Sequence, residues 1–170
     1  IAITELPLHL NQPIELIVVG GGASGFMGAI TAAEFGLSSV LLLEATSKTL
    51  EKVRISGGGR CNVTNACWDP RDLVFNYPRG SIPLRGPFSR FSTGDSVAWF
   101  AEKGLELIVE EDGRLFPASN SSLEVINCLR QVATRLGVNC LTKKSVSKLE
   151  SKGKNGFLVH CRDGNIFHSK

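Results

Sequence analysis

The chain has 170 residues, of which 42% are hydrophobic and 21% are charged, and its formal net charge is +3. This composition is ordinary for a soluble globular protein, and the length suits one domain with its own core. The small charge argues against a nucleic-acid partner, and no apolar run reaches the roughly 18 residues that a membrane span needs. We therefore expect neither nucleic acid nor a membrane as a partner.

Cysteine usage and the first residue bear on the cellular compartment. The five cysteines are odd in number and form no CxxC pair, which favours a reduced, intracellular protein without a metal site. The chain begins with Ile1 and its single methionine is Met27, so we expect that its true start has been lost and that any targeting peptide is not visible. Both the cytoplasm and the interior of an organelle stay open.

The first elements in chain order form a strand–helix–strand unit. After a leader at 1–13, the apolar run at 14–19 predicts a strand buried on both faces, and 23–35 predicts a helix. A second buried strand follows at 40–43, with Glu44 at its carboxyl end. Such a unit is typical of a parallel sheet with helices packed on it.

A long excursion at about 45–121 follows, which a simple dinucleotide fold does not contain. It includes a second glycine cluster, a proline-rich stretch, a short helix predicted over 95–103, a strand predicted over 105–109, a turn at Asp112-Gly113, and the segment Arg114–Pro117. The next strong helix is predicted over 122–136, and its apolar residues indicate broad burial. These apolar residues are Leu123, Ile126, Leu129, Val132, Ala133 and Leu136.

The last part of the chain predicts a third parallel strand at 138–141 and then a small antiparallel meander. The meander strands are predicted at 146–149, 157–161 and 166–167, separated by Lys-Gly and Asp-Gly turns. The predicted fold class is α/β and Rossmann-like, a parallel sheet with helices plus the β-meander. One domain is expected over 14–170, with the excursion inserted in it.

The pattern Gly20-x-Gly22-x-x-Gly25 stands between the first strand and the first helix, the context expected of a dinucleotide-binding loop. Gly20 permits the tight turn, Gly22 lets a pyrophosphate approach the backbone, and Gly25 allows close packing of helix and strand. Glu44 follows Gly25 by 19 residues, which matches the acidic residue that accepts hydrogen bonds from ribose hydroxyls. The alternatives are an ordinary glycine-rich turn and a solvent-facing glutamate.

The second glycine cluster lies in the run Ile55–Asn65, which reads ISGGGRCNVTN. Three successive glycines expose N–H groups to phosphate or to ring edges, Arg60 adds a fixed positive charge, and Asn62 adds an amide. Two glycine surfaces favour a flavin dinucleotide, because that cofactor is long and needs a second surface. A redox role for Cys61 is conceivable, but a structural cysteine is favoured because no resolving partner is evident.

These motifs resemble those of the two-dinucleotide-binding flavoprotein superfamily. The closer similarity is to the HI0933-like or BaiN-like family of FAD/NAD(P)-dependent oxidoreductases, and it extends over about 14–170. It is carried by Gly20–Gly25, Leu41–Glu44, the run Ile55–Asn65, and Gly113–Ser119. The run Ile55–Asn65 is the specific signal, since many families share the first glycine loop.

The resemblance implies which residues contact the adenosine side of FAD. Glu44 would bind the ribose, and the backbone of Val146 would bond to adenine. The pyrophosphate would be held by Gly20, Gly22, Ala23, Ser24 and Gly25.

The resemblance also assigns the flavin half of the cofactor. Arg60 would lie near the phosphates or the edge of the isoalloxazine ring, and Lys52 falls where the family has a basic residue close to the cofactor. The residues that would wrap the flavin half are Gly57, Gly58, Gly59, Arg60, Cys61 and Asn62.

The chain departs from the family pattern at its end and at one internal position. The family pattern continues into a further strand, a substrate-side domain and a closing segment, whereas this chain stops at Lys170. We therefore expect the N-terminal FAD-binding part of a longer protein, and an uncovered sheet edge through which it self-associates. Leu50 stands where the family often has glycine.

The leading functional hypothesis is an FAD-dependent oxidoreductase of the two-dinucleotide-binding type, represented by its FAD-binding portion. NAD(P)H is a possible electron donor, the small-molecule substrate is unknown, and no catalytic residue can be assigned. The first alternative is a non-catalytic, truncated nucleotide-binding module. The second alternative is an NAD-binding Rossmann dehydrogenase, against which the excursion and the second glycine cluster argue.

Overall fold

The computed structural model describes residues 14–170, so the predicted leader at 1–13 lies outside the described residues. The contacts divide the chain into two compact units. The first unit comprises Ala133–Lys170 and the described part of Ile1–Thr49, and the second unit comprises Leu50–Val132.

The described residues form nine strands and six α-helices. The strands are β1 (Leu16–Val19), β2 (Val40–Leu43), β3 (Thr64–Asn65), β4 (Leu107–Val109), β5 (Arg114–Pro117), β6 (Asn139–Leu141), β7 (Val146–Ser151), β8 (Phe157–Cys161) and β9 (Ile166–Ser169). The helices are α1 (Ala23–Glu34), α2 (Glu51–Ile55), α3 (Pro70–Leu73), α4 (Ser81–Phe88), α5 (Thr93–Glu102) and α6 (Ser122–Arg135).

The first unit contains the predicted parallel sheet, and its strand order is β1-β2-β6. The central strand β2 is almost fully buried, with Leu42 at 0% exposure. The expectation that the first strand is buried on both faces is wrong, because β1 is half-buried and its Val19 is 54% exposed. Among the described strands β1 pairs only with β2, so the two-sided burial belongs to the central strand.

Helix α1 confirms the predicted first helix and packs on β1 and β2. Its buried side is formed by Phe26, Ala29 and Ile30. The helix ends at Glu34, and Gly36 follows with φ +98°, a conformation that glycine adopts readily.

The meander is also confirmed, with β7, β8 and β9 pairing antiparallel in chain order. Val159 of β8 faces both Leu149 of β7 and Phe167 of β9. Val159 and Phe167 join Leu41 and Leu43 of the parallel sheet in one buried cluster. The meander therefore shares the core of the first unit.

The second unit contains a small antiparallel sheet in the order β3-β5-β4. Its central strand β5 contains the fully buried Phe116. Helix α5 begins at Thr93, two residues before the predicted start, because Ser92 and Asp95 form a capping box there.

Two helices in the proline-rich stretch were not predicted from the sequence. Asp69 caps α3, and Pro70 occupies its first position, where no backbone N–H is required. In α4, Pro83 lies in the first turn and Pro87 lies next to the last residue, Phe88. Prolines at these positions remove few helical hydrogen bonds, so they are compatible with short helices.

Helix α6 confirms the predicted long helix, but not all of its predicted burial. Leu123 is 55% exposed and Leu136 is 37% exposed, so the expectation that both are buried is wrong. With a rotation of about 100° per residue, Leu123 lies outside the apolar stripe of the helix. Leu136 lies beyond the last helical residue. The buried stripe consists of Val125, Ile126, Cys128, Leu129, Val132 and Ala133.

Candidate functional site

The first glycine loop makes a tight turn between β1 and α1. Gly20 has φ +109° and donates its N–H to the carbonyl oxygen of Leu43 at 2.8 Å. The carbonyl oxygen of Gly20 lies 1.9 Å from the place where a Cβ of Gly25 would be. Only glycine at position 25 lets the helix start this close to the strand.

The loop leaves the start of α1 open to solvent. Gly22 is the N-cap residue, no described side chain caps it, and the first turn contains no acidic residue. Gly22, Ala23 and Ser24 are exposed, and no atom lies within 4 Å of the place where a Cβ of Gly22 would be. The first N–H groups of a helix and its positive dipole end together favour an anion at this position.

Glu44 is fixed beside the loop by hydrogen bonds from the backbone. Its Oε2 accepts the N–H of Gly21 at 2.8 Å, and its Oε1 accepts the N–H of Thr46 at 2.7 Å. Partial burial raises the pKa of the Glu44 carboxyl, but the N–H groups of Thr46 and Gly21 outweigh it, so the pKa lies below its usual value. The carboxylate is therefore ionised at neutral pH and oriented.

The sequence did not reveal the two residues that orient Glu44. Gly21 is buried, and a Cβ there would lie 2.9 Å from Cγ2 of Thr49 and 3.0 Å from Cβ of Glu44. The available signal for Gly21 was its place between Gly20 and Gly22, which makes a run of three glycines. Thr46 gave none, because a threonine two residues past a strand is common.

The loop from β6 to β7 lies against the same edge of the first unit. Lys143 donates its N–H to the carbonyl oxygen of Thr46, and Lys144 donates its N–H to the carbonyl oxygen of Glu44, both at 2.8 Å. Val146 follows at the start of β7, where it pairs with Cys161 and packs against the buried cluster. The first unit thus brings together the glycine loop, Glu44 and the segment that contains Val146.

The second glycine cluster forms a separate turn in the second unit. Gly57, Gly58 and Gly59 have φ values of +55°, +69° and +87°. A Cβ at Gly57 would lie 2.7 Å from the backbone nitrogen of Asn62 and 2.9 Å from Cε1 of Phe116. At Gly58 and Gly59 no atom lies within 4 Å of that place, and both residues are exposed. A ligand can therefore approach the backbone closely at these two residues.

Arg60 folds back onto the second unit. Its guanidinium pairs with the carboxylate of Glu110 and lies 3.9 Å from the centre of the Phe116 ring. Its Nη1 is also 3.5 Å from Oδ1 of Asn120. The side chains of Arg60 and Glu110 are 34% and 30% exposed, so the pair is half-buried.

The remaining predicted site residues of the second unit have different surroundings. Cys61 is 6% exposed with φ +65°, and burial raises the pKa of its thiol. A buried, protonated thiol is typical of a structural cysteine. Asn62 is exposed, and Lys52 is exposed on α2. Leu50, the departure from the family pattern, has φ +62° and is 2% exposed.

Within 14–170 no group of three or more His, Cys, Asp or Glu side chains could hold a metal ion. In the same range, no helix combines the length and the apolar character that a membrane span needs.

Curated relatives of the chain are longer proteins. The chain is 31% identical over 151 residues to a 3-dehydro-bile acid delta(4,6)-reductase of Clostridium scindens, which covers 88% of this chain and 36% of that protein. It is 28% identical over 141 residues to a ribosomal RNA dihydrouridine synthase of Haemophilus influenzae. That match covers 83% of this chain and 34% of the relative. The chain thus spans about a third of the length of these relatives.

Solved structures share the fold. The structure of the 3-ketosteroid-delta4-(5alpha)-dehydrogenase of Rhodococcus jostii RHA1 aligns with a TM-score of 0.66 at 15% sequence identity. The alignment covers 98% of this chain and 46% of the dehydrogenase chain. The structure of a flavocytochrome c3 fumarate reductase aligns with a TM-score of 0.60 at 20% sequence identity. The alignment covers 95% of this chain and 33% of the reductase chain. The predicted Rossmann-like fold of the FAD/NAD(P)-binding type is therefore confirmed.

The family predicted from the motifs is confirmed as well. The family model of the HI0933-like protein Rossmann domain matches residues 14–170, which include both glycine clusters and the meander. The chain therefore belongs to the HI0933-like protein family and represents its Rossmann domain.

Proposed function

We propose that the first unit binds the ADP half of FAD at the edge formed by the glycine loop and Glu44. The observation that carries this proposal is the position of the Glu44 carboxylate, which the N–H of Gly21 holds at 2.8 Å beside the open start of α1. A dinucleotide needs an acceptor for the ribose hydroxyls next to donors for its pyrophosphate. Gly22, Ala23 and Ser24 are the exposed residues at those donors.

The second unit is proposed to contact the flavin half of FAD. Gly58 and Gly59 offer exposed backbone without side chains, which suits close approach of a flat ring or of its ribityl phosphate. Asn62 is exposed after the turn, and Lys52 is exposed on α2. These residues are proposed as the contacts to the flavin half that the family resemblance implies.

The whole protein is proposed to be a flavin-dependent reductase that saturates a carbon–carbon double bond. The names of both curated relatives, a delta(4,6)-reductase and a dihydrouridine synthase, denote this type of reaction. When bound, a reduced flavin supplies the hydride for such a step. NAD(P)H is proposed as the reductant of the flavin.

The experiment compares two valine variants on α1 and its cap. In Gly22→Val the new side chain enters open space at a residue with φ −87° and ψ −174°, so the fold is retained while the pyrophosphate site is obstructed. Gly28→Val is the matched control, because Gly28 is exposed on the same helix and also has no atom within 4 Å of its Cβ position.

Calorimetric titration measures the affinities of the variants for ADP and for FAD. We expect Gly22→Val to lower both affinities at least tenfold, and Gly28→Val to leave both unchanged. Equal affinities in Gly22→Val and the unmodified chain would exclude this site. A chain that binds neither ligand, with the flavin absorbance bands absent, would favour a non-catalytic module that does not hold FAD.

A further inference from the structure

The second glycine turn has a conformation that its own residues do not enforce. Three successive glycines lose more backbone entropy on ordering than any other three residues. Gly57, Gly58 and Gly59 all have positive φ, so the turn is one specific left-handed conformation among many accessible ones. A turn of this kind is well ordered only if neighbouring side chains fix it.

Two contacts from the β4–β5 hairpin fix this turn at its two ends. Phe116 of β5 is fully buried, and its ring edge lies against Gly57, where a Cβ would be 2.9 Å from Cε1. Arg60, the residue after the turn, lies over the same ring and pairs with Glu110. Glu110 follows β4 and also lies 3.6 Å from Arg114.

We propose that Arg60 and Glu110 are positioning residues for the Gly57–Gly59 turn. Arg60 acts through Glu110 and Phe116, and not as a direct ligand of a phosphate. The inference rests on the proposed role of this turn toward the flavin half, and it assigns Arg60 a different task from the one that the family resemblance implied. Glu110 had no assigned role.

The charges favour this assignment over direct contact. The guanidinium already faces a carboxylate in a half-buried pair, and charge-assisted hydrogen bonds of this kind are the strong ones. A phosphate bound directly by Arg60 would compete with Glu110, whose negative charge would lower the affinity. Removal of Glu110 therefore has opposite effects in the two cases, and this difference provides the test.

The first experiment is a double-mutant cycle read by calorimetry with two ligands. We expect Arg60→Ala and Glu110→Ala each to lower the affinity for FAD about fivefold to twentyfold. The double variant should bind FAD no more weakly than either single variant. The affinity for ADP should stay unchanged in all three variants. A loss of affinity confined to FAD separates positioning of the turn from general destabilisation, because destabilisation would lower the affinity for ADP as well. The matched control is the exposed Glu51–Arg54 pair on α2 of the same unit, whose alanine variants should leave FAD affinity unchanged.

The second experiment does not depend on any ligand. Cys61 donates its N–H to Ser56 at 3.0 Å, and Val63 donates its N–H to Leu115 at 2.9 Å, so both amides report on the turn. Their hydrogen exchange should accelerate by a similar factor in Arg60→Ala, Glu110→Ala and the double variant. It should stay unchanged in the two control variants.

The outcomes separate this inference from the proposed function. FAD affinity that is unchanged or increased in Glu110→Ala would overturn the inference and leave FAD binding intact. Faster exchange in all three variants, in a chain that binds neither FAD nor ADP, would support positioning of the turn and overturn the proposed function. Unchanged exchange of both amides would overturn the inference whatever the chain binds.

Discussion

The carbonyl oxygen of Gly20 occupies the space beside Gly25 that a side chain would need. A Cβ at Gly25 would lie 1.9 Å from that oxygen, whereas a Cβ at Gly22 would meet no atom within 4 Å. The two glycines of one motif therefore have different physical roles. Gly25 is required by the fold, and Gly22 leaves room for a ligand.

The first prediction separates these two roles by their effect on stability. Gly25→Ala should lower the free energy of unfolding by on the order of 3 kcal/mol or more, because a backbone oxygen must move. Gly22→Ala should lower it by at most about 1 kcal/mol, because Gly22 is the N-cap residue of α1 and meets no neighbouring atom. Urea unfolding followed by circular dichroism measures both, and equal stabilities of the two variants would contradict the prediction.

The second prediction concerns Glu44. Its carboxylate should accept two ribose hydroxyls, each worth roughly 1.5–3 kcal/mol as a charge-assisted hydrogen bond. Glu44→Ala should therefore weaken ADP at least tenfold in calorimetry. Glu15→Ala is the control, because Glu15 is also a carboxylate of the first unit that accepts backbone N–H groups, those of Ser38 and Ser39.

ADP affinity should not change in the Glu15 variant. An ADP affinity equal in both variants, with circular dichroism unchanged, would show that Glu44 does not bind the ribose.

The third prediction uses two residues with left-handed backbone. Leu50 and Lys143 have φ +62° and +58°, a conformation that costs a side chain about 1–2 kcal/mol. Lys143 is exposed, so Lys143→Gly should leave stability unchanged or raise it by up to about 1 kcal/mol. Leu50 is 2% exposed, so Leu50→Gly should lower stability by roughly 1–3 kcal/mol despite the relief of strain.

Thermal unfolding of both variants checks this prediction. A Leu50→Gly variant that is more stable than the unmodified chain would contradict the prediction. It would mean that burial of the leucine side chain stabilises the fold by less than the left-handed backbone costs.

The fourth prediction concerns acid stability. Lys144 donates to Asp163 at 2.7 Å and Asn165 donates twice, and these hydrogen bonds lower the pKa of the Asp163 carboxyl to about 2. Because the folded pKa is lowered, the stabilisation is complete above the unfolded value of about 3.9 and is lost as the pH falls toward 2. Asp163→Asn should therefore be less stable at pH 6, and the difference should vanish between about pH 4 and pH 2.

The control is Glu111→Gln, because Glu111 is exposed and forms no ion pair within residues 14–170. Its difference in stability from the unmodified chain should stay small across the same range. A stability difference for Asp163→Asn that is constant with pH would contradict the assigned pairing.

Local patterns in the sequence predicted much of the fold. The apolar run Val40–Leu43 marked a buried strand, and the glycine spacing marked the turn before α1, because both signals act within a few residues. The sequence did not predict the helices α3 and α4, whose prolines lie at positions that short helices tolerate.

Contacts between distant residues could not be predicted from one sequence. Arg60 and Glu110 are 50 positions apart, and Gly21 and Glu44 are 23 apart. No periodicity links such pairs, since strand pairing and loop geometry bring them together. The sequence therefore predicted which residues would face a dinucleotide, but not which neighbours orient them.

The most direct test of the central claim follows the backbone amides of the chain by NMR during titration with ADP. Binding of the ADP half at the glycine loop predicts saturable shifts of the amides of Gly21, Gly22, Ala23 and Ser24, and no shifts in α5. The shifts at the loop should be absent in Gly22→Val and present in Gly28→Val. Shifts confined to other parts of the chain, or an unperturbed loop at saturating ADP, would contradict the account.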